Sequence, residues 1–208
     1  MTDDSRHITF FHSPQSRSAG VRILLEELGA SYTVHPLNMQ KGEQREAAYL
    51  AVNPMGKVPA IKHGDVLVTE QAAVYMYLAE LYPEAGLSPA VGDALRGPYL
   101  RWMTFYGSCF EPAAVDRAMK RDAGGQAMSP YGSFDVVIDT LAAQITPGPW
   151  FLGERFTAAD VLWGTAFNWM LQFKLVPERQ VFVDYAARVM ARPARQRALA
   201  FDAAMNAS

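Results

Sequence analysis

At 208 residues, half of them apolar, the chain is long enough for one domain or two small ones around a substantial core. A formal net charge of −2 excludes the electrostatic footprint of a nucleic-acid binder, and Arg188, Arg192, Arg195 and Arg197 read as a solvated helical face. A single cysteine, Cys109, excludes an internal disulfide and a Cys-x-x-Cys redox pair.

No run of about eighteen apolar residues occurs, so no membrane-spanning helix is predicted. The start, Met1-Thr2-Asp3-Asp4-Ser5, is acidic and lacks the apolar stretch of a signal peptide. The expectation is a soluble, cytoplasmic protein without nucleic-acid or membrane partners. His7, His12, His35 and His63 have no metal-ligand spacing, so no metal site is predicted.

In chain order, His7 to His12 is rich in aromatic and β-branched types and reads as a strand. A polar loop, Ser13-Pro14-Gln15-Ser16-Arg17-Ser18, leads into a helix with Val21, Leu24, Leu25 and Leu28 on one face and Gly29 as its cap. Ser31 to Pro36 is a second strand, and Glu43 to Ala51 a helix ending before the Asn53-Pro54 turn. Two short apolar strands flank Gly64-Asp65 as a hairpin. A helix from Glu70 to Leu81 follows and is stopped by Pro83. The order is βαβαββα, which implies a mixed sheet with helices on its faces.

Residues 84–92 read as a linker between a first domain at 1–83 and an all-helical second domain at 93–208. Helices are predicted over 94–120, 131–145, 158–173, 177–190 and 193–204. Thr157 and Asp160, three apart before an apolar run, form a capping-box pattern and are structural.

Two features carry chemistry. Val58-Pro59 lies in the string Asn53-Pro54-Met55-Gly56-Lys57-Val58-Pro59-Ala60-Ile61, where backbone groups next to the proline can be left free. Glu70-Gln71 opens a helix, whose free N–H groups and dipole attract a carboxylate while the Glu70 side chain suits an ammonium. Such a pair is suited to a small zwitterionic peptide. The alternative is structural, with a strand-entry proline and a helix whose N-cap is Thr69.

These stretches resemble the glutathione-binding half of the glutathione S-transferase family, and the likeness extends from residue 7 to about 204. It implies a thioredoxin-like N-terminal domain and an all-α C-terminal domain. Only about one X–Pro bond in twenty is cis in folded proteins. The resemblance nevertheless implies a cis Pro59, with Val58 making strand-like hydrogen bonds to the cysteinyl unit of glutathione. It implies that Glu70 and Gln71 hold the γ-glutamyl end; many relatives have serine where Gln71 stands. It implies Lys41, with Lys57, for the glycyl carboxylate.

The thiol-activating group of the family comes from the loop after the first strand: tyrosine in some classes, serine in others, cysteine in many bacterial ones. Alignment on the first helix puts Gln15 at the serine position and Arg17 at the cysteine position, and neither matches. Ser16 is the preferred activating residue and Arg17 the alternative, with Ser13 and Ser18 as flanking hydroxyls; Ser16 or Ser18 can equally be an ordinary helix N-cap.

The resemblance further implies an electrophile pocket between the domains, lined by the helix carrying Trp102, Phe105, Tyr106 and Phe110. Trp102 and Tyr106 are the candidates, and Cys109 reads as an inert apolar residue. The implied function is conjugation of the glutathione co-substrate to a small hydrophobic electrophile by a homodimer. The alternatives are a glutathione-binding or protein-interaction module without turnover, or a glutathione-dependent isomerase, lyase or dehalogenase.

Overall fold

The computed structural model describes residues 4–206; Met1 to Asp3, part of the segment read for a leader, lie outside the described residues. The chain divides into two compact units, one of residues 1–87 together with 193–208 and the other of residues 88–192.

The first unit has a thioredoxin-like fold. A four-stranded sheet is built from β1 (Ile8–His12), β2 (Tyr32–Pro36), β3 (Ala60–His63) and β4 (Val66–Val68), in the order β2-β1-β3-β4. β1 and β2 are parallel, joined through α1 (Ser18–Leu28). β3 is antiparallel to β1 and to β4. The β3–β4 turn is the two-residue Gly64-Asp65 loop read from the sequence. Gly29 closes α1 in the left-handed conformation, its N–H bonding the Leu25 carbonyl.

The single helix read over 43–51 is corrected. A 3₁₀ turn at Glu43–Arg45 and the short α2 (Ala47–Leu50) are separated by Glu46, whose extended backbone (φ −74°, ψ 150°) restarts the chain as the N-cap of α2. α3 (Gln71–Leu81) begins one residue later than read, because Glu70 takes φ 62° and ψ 120° and stands outside the helix.

The second unit is helical, with α4 (Arg96–Phe105), α5 (Glu111–Ala118), α6 (Phe134–Ile145), α7 (Ala158–Gln172) and α8 (Gln180–Met190). A π turn at Tyr106–Phe110 interrupts the helix read over 94–120. Gly164 lets α7 and α8 touch, since a Cβ there would lie 2.5 Å from the Cβ of Val189. Phe151 stacks on Trp163 at 4.9 Å in the centre of this unit.

The last helix, α9 (Pro193–Asn206), groups with the first unit and not with the helical region to which the sequence reading joined it. The reason lies in α1. Arg22 is fully buried, and its guanidinium lies 3.6 Å from the Phe201 ring centroid and 4.9 Å from that of Tyr32. Arg197 adds a 3.0 Å ion pair to Glu26. A buried cation faced by aromatic rings holds α9 against α1.

Candidate functional site

The sheet register brings four loops to one end of the first unit. Parallel pairing of His12 with Pro36 makes the 13–17 and 37–42 loops leave the sheet together, and the Leu37 N–H donates to the His12 carbonyl at 2.8 Å. Antiparallel pairing of Phe11 with Ala60, continued one step, sets Pro59 beside His12. β4 runs back along β3, with Val68 opposite Ile61, and so returns Thr69 and Glu70 to the same end. Ligands of open α/β sheets collect at such loop-bearing ends.

Val58-Pro59 is cis. Among the described residues, neither the N–H nor the C=O of Val58 has a partner within the chain. The preceding carbonyl is held firmly: Lys57 C=O accepts from the Tyr49 hydroxyl at 2.6 Å and from Asn53 Nδ2 at 2.9 Å. Gly56 makes the turn possible, with φ 58° and a missing Cβ that would lie 2.7 Å from the Gln44 carbonyl oxygen. Val58 itself packs with Phe11, Leu37, Tyr49 and Ala60. A rigid, unpaired main-chain edge results.

Glu70 is exposed, and its side chain makes no capping bond to α3. Gln71 donates from Nε2 to the Arg17 carbonyl at 3.3 Å, tying the start of α3 to the first loop. The N–H groups that open a helix point outward along its axis and make its start electropositive. Among the described residues only four non-glycine residues have positive φ, and two of them, Gln15 (57°) and Glu70 (62°), stand in these loops. Backbone held in such regions costs about 1–3 kcal/mol each and clusters at functional sites. Lys41 and Lys57 are exposed.

In the first loop Ser16 is half-buried and Arg17 and Gln15 exposed, while Ser13 and Ser18 are buried. The Ser16 hydroxyl donates to the Ser13 carbonyl at 2.7 Å and lies 2.7 Å from Ser18 Oγ. The Ser18 N–H donates to Ser16 Oγ at 3.1 Å. Ser18 Oγ in turn lies 2.8 Å from Nδ1 of the buried His12. Ser13, Ser16, Asn38, Gln40 and Met205 are among the residues lining a cleft of about 500 Å³ beside this loop.

Trp102 and Tyr106 are 2 % and 3 % exposed. Trp102 meets Phe151 edge-on at 5.2 Å, and the Tyr106 hydroxyl donates to Glu111 at 2.6 Å. Both side chains contribute to the aromatic core of the second unit. Cys109 is partly exposed, its thiol 3.6 Å from the Pro130 carbonyl. Among the described residues no group of three His, Cys, Asp or Glu side chains comes together as a metal site.

Sequence reasoning missed Tyr49, Asn53, His12 and Asp202. Asn53 carried a signal, being inside the string that names the turn. His12 and Asp202 carried none, since they are 190 residues apart.

Residues 6–80 match the family described as "Glutathione S-transferase, N-terminal domain". A glutathione S-transferase of Hyoscyamus muticus is 25% identical over 206 residues, covering 91% of this chain and 97% of that protein. A glutathione transferase structure from Methylococcus capsulatus has a TM-score of 0.79 at 26% identity, over 94% of this chain and 98% of that one. A sphingomonad glutathione S-transferase, solved in complex with glutathione, has a TM-score of 0.75 at 27% identity over 94% and 98% of the two chains.

Proposed function

From the premise that this chain belongs to the glutathione S-transferase family, we propose that it is a glutathione transferase joining the glutathione thiolate to a small hydrophobic electrophile. The observation that carries this reading is the unpaired Val58 main chain, held from behind by Tyr49 and Asn53 at the end of the sheet where the loops meet. An extended cysteinyl unit pairs with that edge as an added strand would.

The γ-glutamyl ammonium pairs with Glu70, and its carboxylate meets the N-terminus of α3, where Gln71 stands. Lys41 or Lys57 takes the glycyl carboxylate. Ser16 hydrogen-bonds the sulfur, with Arg17 as the alternative donor. A thiol of pKa about 8.5 needs only about 1.4 kcal/mol per unit of lowering, within reach of one hydrogen bond assisted by charge.

Retention on immobilised glutathione followed by conjugation of a chloronitrobenzene tests the reading. Glu70→Ala should abolish retention; retention unchanged would remove Glu70 from the site. Ser16→Ala should lower turnover about tenfold, or about 1.4 kcal/mol in the barrier, with glutathione affinity little altered. If Arg17→Ala has that effect instead, the activating residue is Arg17.

The 2.7 Å bond from Ser16 to the Ser13 carbonyl favours a second reading, a module that holds glutathione without turning it over. Retention without turnover would establish it.

A further inference from the structure

The first loop is wired to the last helix through a fully buried histidine. His12 Nε2 lies 3.1 Å from Asp202 Oδ1 on α9, His12 Nδ1 lies 2.8 Å from Ser18 Oγ, and Ser18 Oγ lies 2.7 Å from Ser16 Oγ. His12 is 0 % exposed and stacks on Phe10 at 5.0 Å. The carboxylate at one end only accepts, so Nε2 carries a proton toward Asp202.

With neutral His12, Nδ1 must accept, and Ser18 Oγ–H is the neighbouring donor. Ser18 Oγ can then accept from Ser16, which turns a Ser16 lone pair outward. With protonated His12 the order of donation reverses. Nδ1–H donates to Ser18, Ser18 donates to Ser16, and the Ser16 hydroxyl is released to donate outward or to the Ser13 carbonyl 2.7 Å away. The same four groups support both arrangements without moving a heavy atom.

We propose that His12, held by Asp202, is a positioning residue that accepts the proton of the bound thiol through Ser18 and Ser16. The inference rests on the reading that Ser16 meets the glutathione sulfur. The S–H bond breaks as its proton passes to Ser16 Oγ; the Ser16 proton passes to Ser18 Oγ, and the Ser18 proton to His12 Nδ1. The products are a thiolate that accepts from Ser16 Oγ–H and an imidazolium paired with the Asp202 carboxylate. One proton has left sulfur and one has reached nitrogen.

Charged and titratable groups on the elements packed around His12 are Arg22, Glu26 and Glu27 of α1, Arg195, Arg197 and Asp202 of α9, Tyr32 and His35 of β2, and Lys62 and His63 of β3. Of these, Asp202 contacts the ring.

The test follows the ultraviolet absorbance of the bound thiolate against pH in the full chain, for the wild type, Asp202→Asn and Ser18→Ala. Binding of S-methylglutathione, which has no thiol, is measured alongside. The expected result is a thiolate midpoint raised by about one unit in each variant, a tenfold loss of thiolate at a given pH. S-methylglutathione affinity should stay within about threefold, a change of about 0.7 kcal/mol. The double variant should be no worse than either single one, because a relay is broken once. An unmoved midpoint with binding intact overturns the relay. Loss of S-methylglutathione binding in both variants makes the chain of bonds a structural strut and also overturns it. Failure of the wild type to bind S-methylglutathione defeats the glutathione reading itself.

Discussion

Glu70 concentrates the conflict between stability and function in one residue. Its backbone, at φ 62° and ψ 120°, suits glycine, and among the described residues its side chain forms no cap on α3 to compensate. A strained conformation at an exposed position persists where it serves binding. Replacing Glu70 by glycine relieves the backbone and removes the carboxylate together. Glu70→Gly should therefore raise the unfolding free energy of the first unit by about 1 kcal/mol while abolishing retention on immobilised glutathione. Glu70→Ala should lose retention without gaining stability. If both variants unfold at the wild-type denaturant concentration, the backbone is not strained and this account of Glu70 fails.

The elements differ in how far sequence could reveal them. The 53–61 string, the Gly64-Asp65 hairpin and the start of α3 were legible because each is written in contiguous residues whose turn chemistry is local. The 43–51 segment misled because its apolar residues suit a helix, whereas Glu46 adopts an extended backbone that periodicity cannot register. Trp102 and Tyr106 mark a different limit: helical spacing says which residues share a face, and not what covers that face. α9 was legible as a helix, but its grouping was not. Arg22, a cation within the apolar run Val21-Arg22-Ile23-Leu24-Leu25, is a signal that some other element must cover a charge there. Phe201 does so, and this makes a prediction for the element. Removing the ring by Phe201→Ala should cost about 1–2 kcal/mol and lower the hydrogen-exchange protection of α9 amides about tenfold. Protection equal to the wild type would mean that other contacts hold α9 in place.

At the scale of the whole molecule, carboxylates in different environments act on stability in different pH windows. In the second unit Asp160 is buried between α7 and its neighbours, accepting from the Phe151 N–H at 2.6 Å, the Thr157 N–H at 2.8 Å and the Tyr185 hydroxyl at 2.9 Å. Burial nevertheless dominates those bonds and pushes its pKa up from 3.8 to about 6. A folded-state pKa above the unfolded one means that the native form binds the proton more tightly. The stability it contributes is thus complete below about pH 4 and is lost as pH rises through about 6. A shift of about two units corresponds to about 3 kcal/mol. Glu84 of the first unit and Asp93 of the second are shifted downward, first by backbone N–H groups and then by Arg6 and Arg155, so their contributions are lost as pH falls. The two directions separate by pH, since the raised group acts above about pH 4 and the lowered ones below it, and Trp102, Trp150, Trp163 and Trp169, all in the second unit, report that unit's unfolding. Denaturant unfolding followed by tryptophan fluorescence should show the midpoint of that unit falling between about pH 4 and pH 7. Asp160→Asn cannot ionise, so its midpoint should be flat across the same window. It should also start lower, since an amide cannot accept at both former oxygen positions. A slope that survives in Asp160→Asn would assign the pH dependence to another group and leave the buried carboxylate ionised throughout.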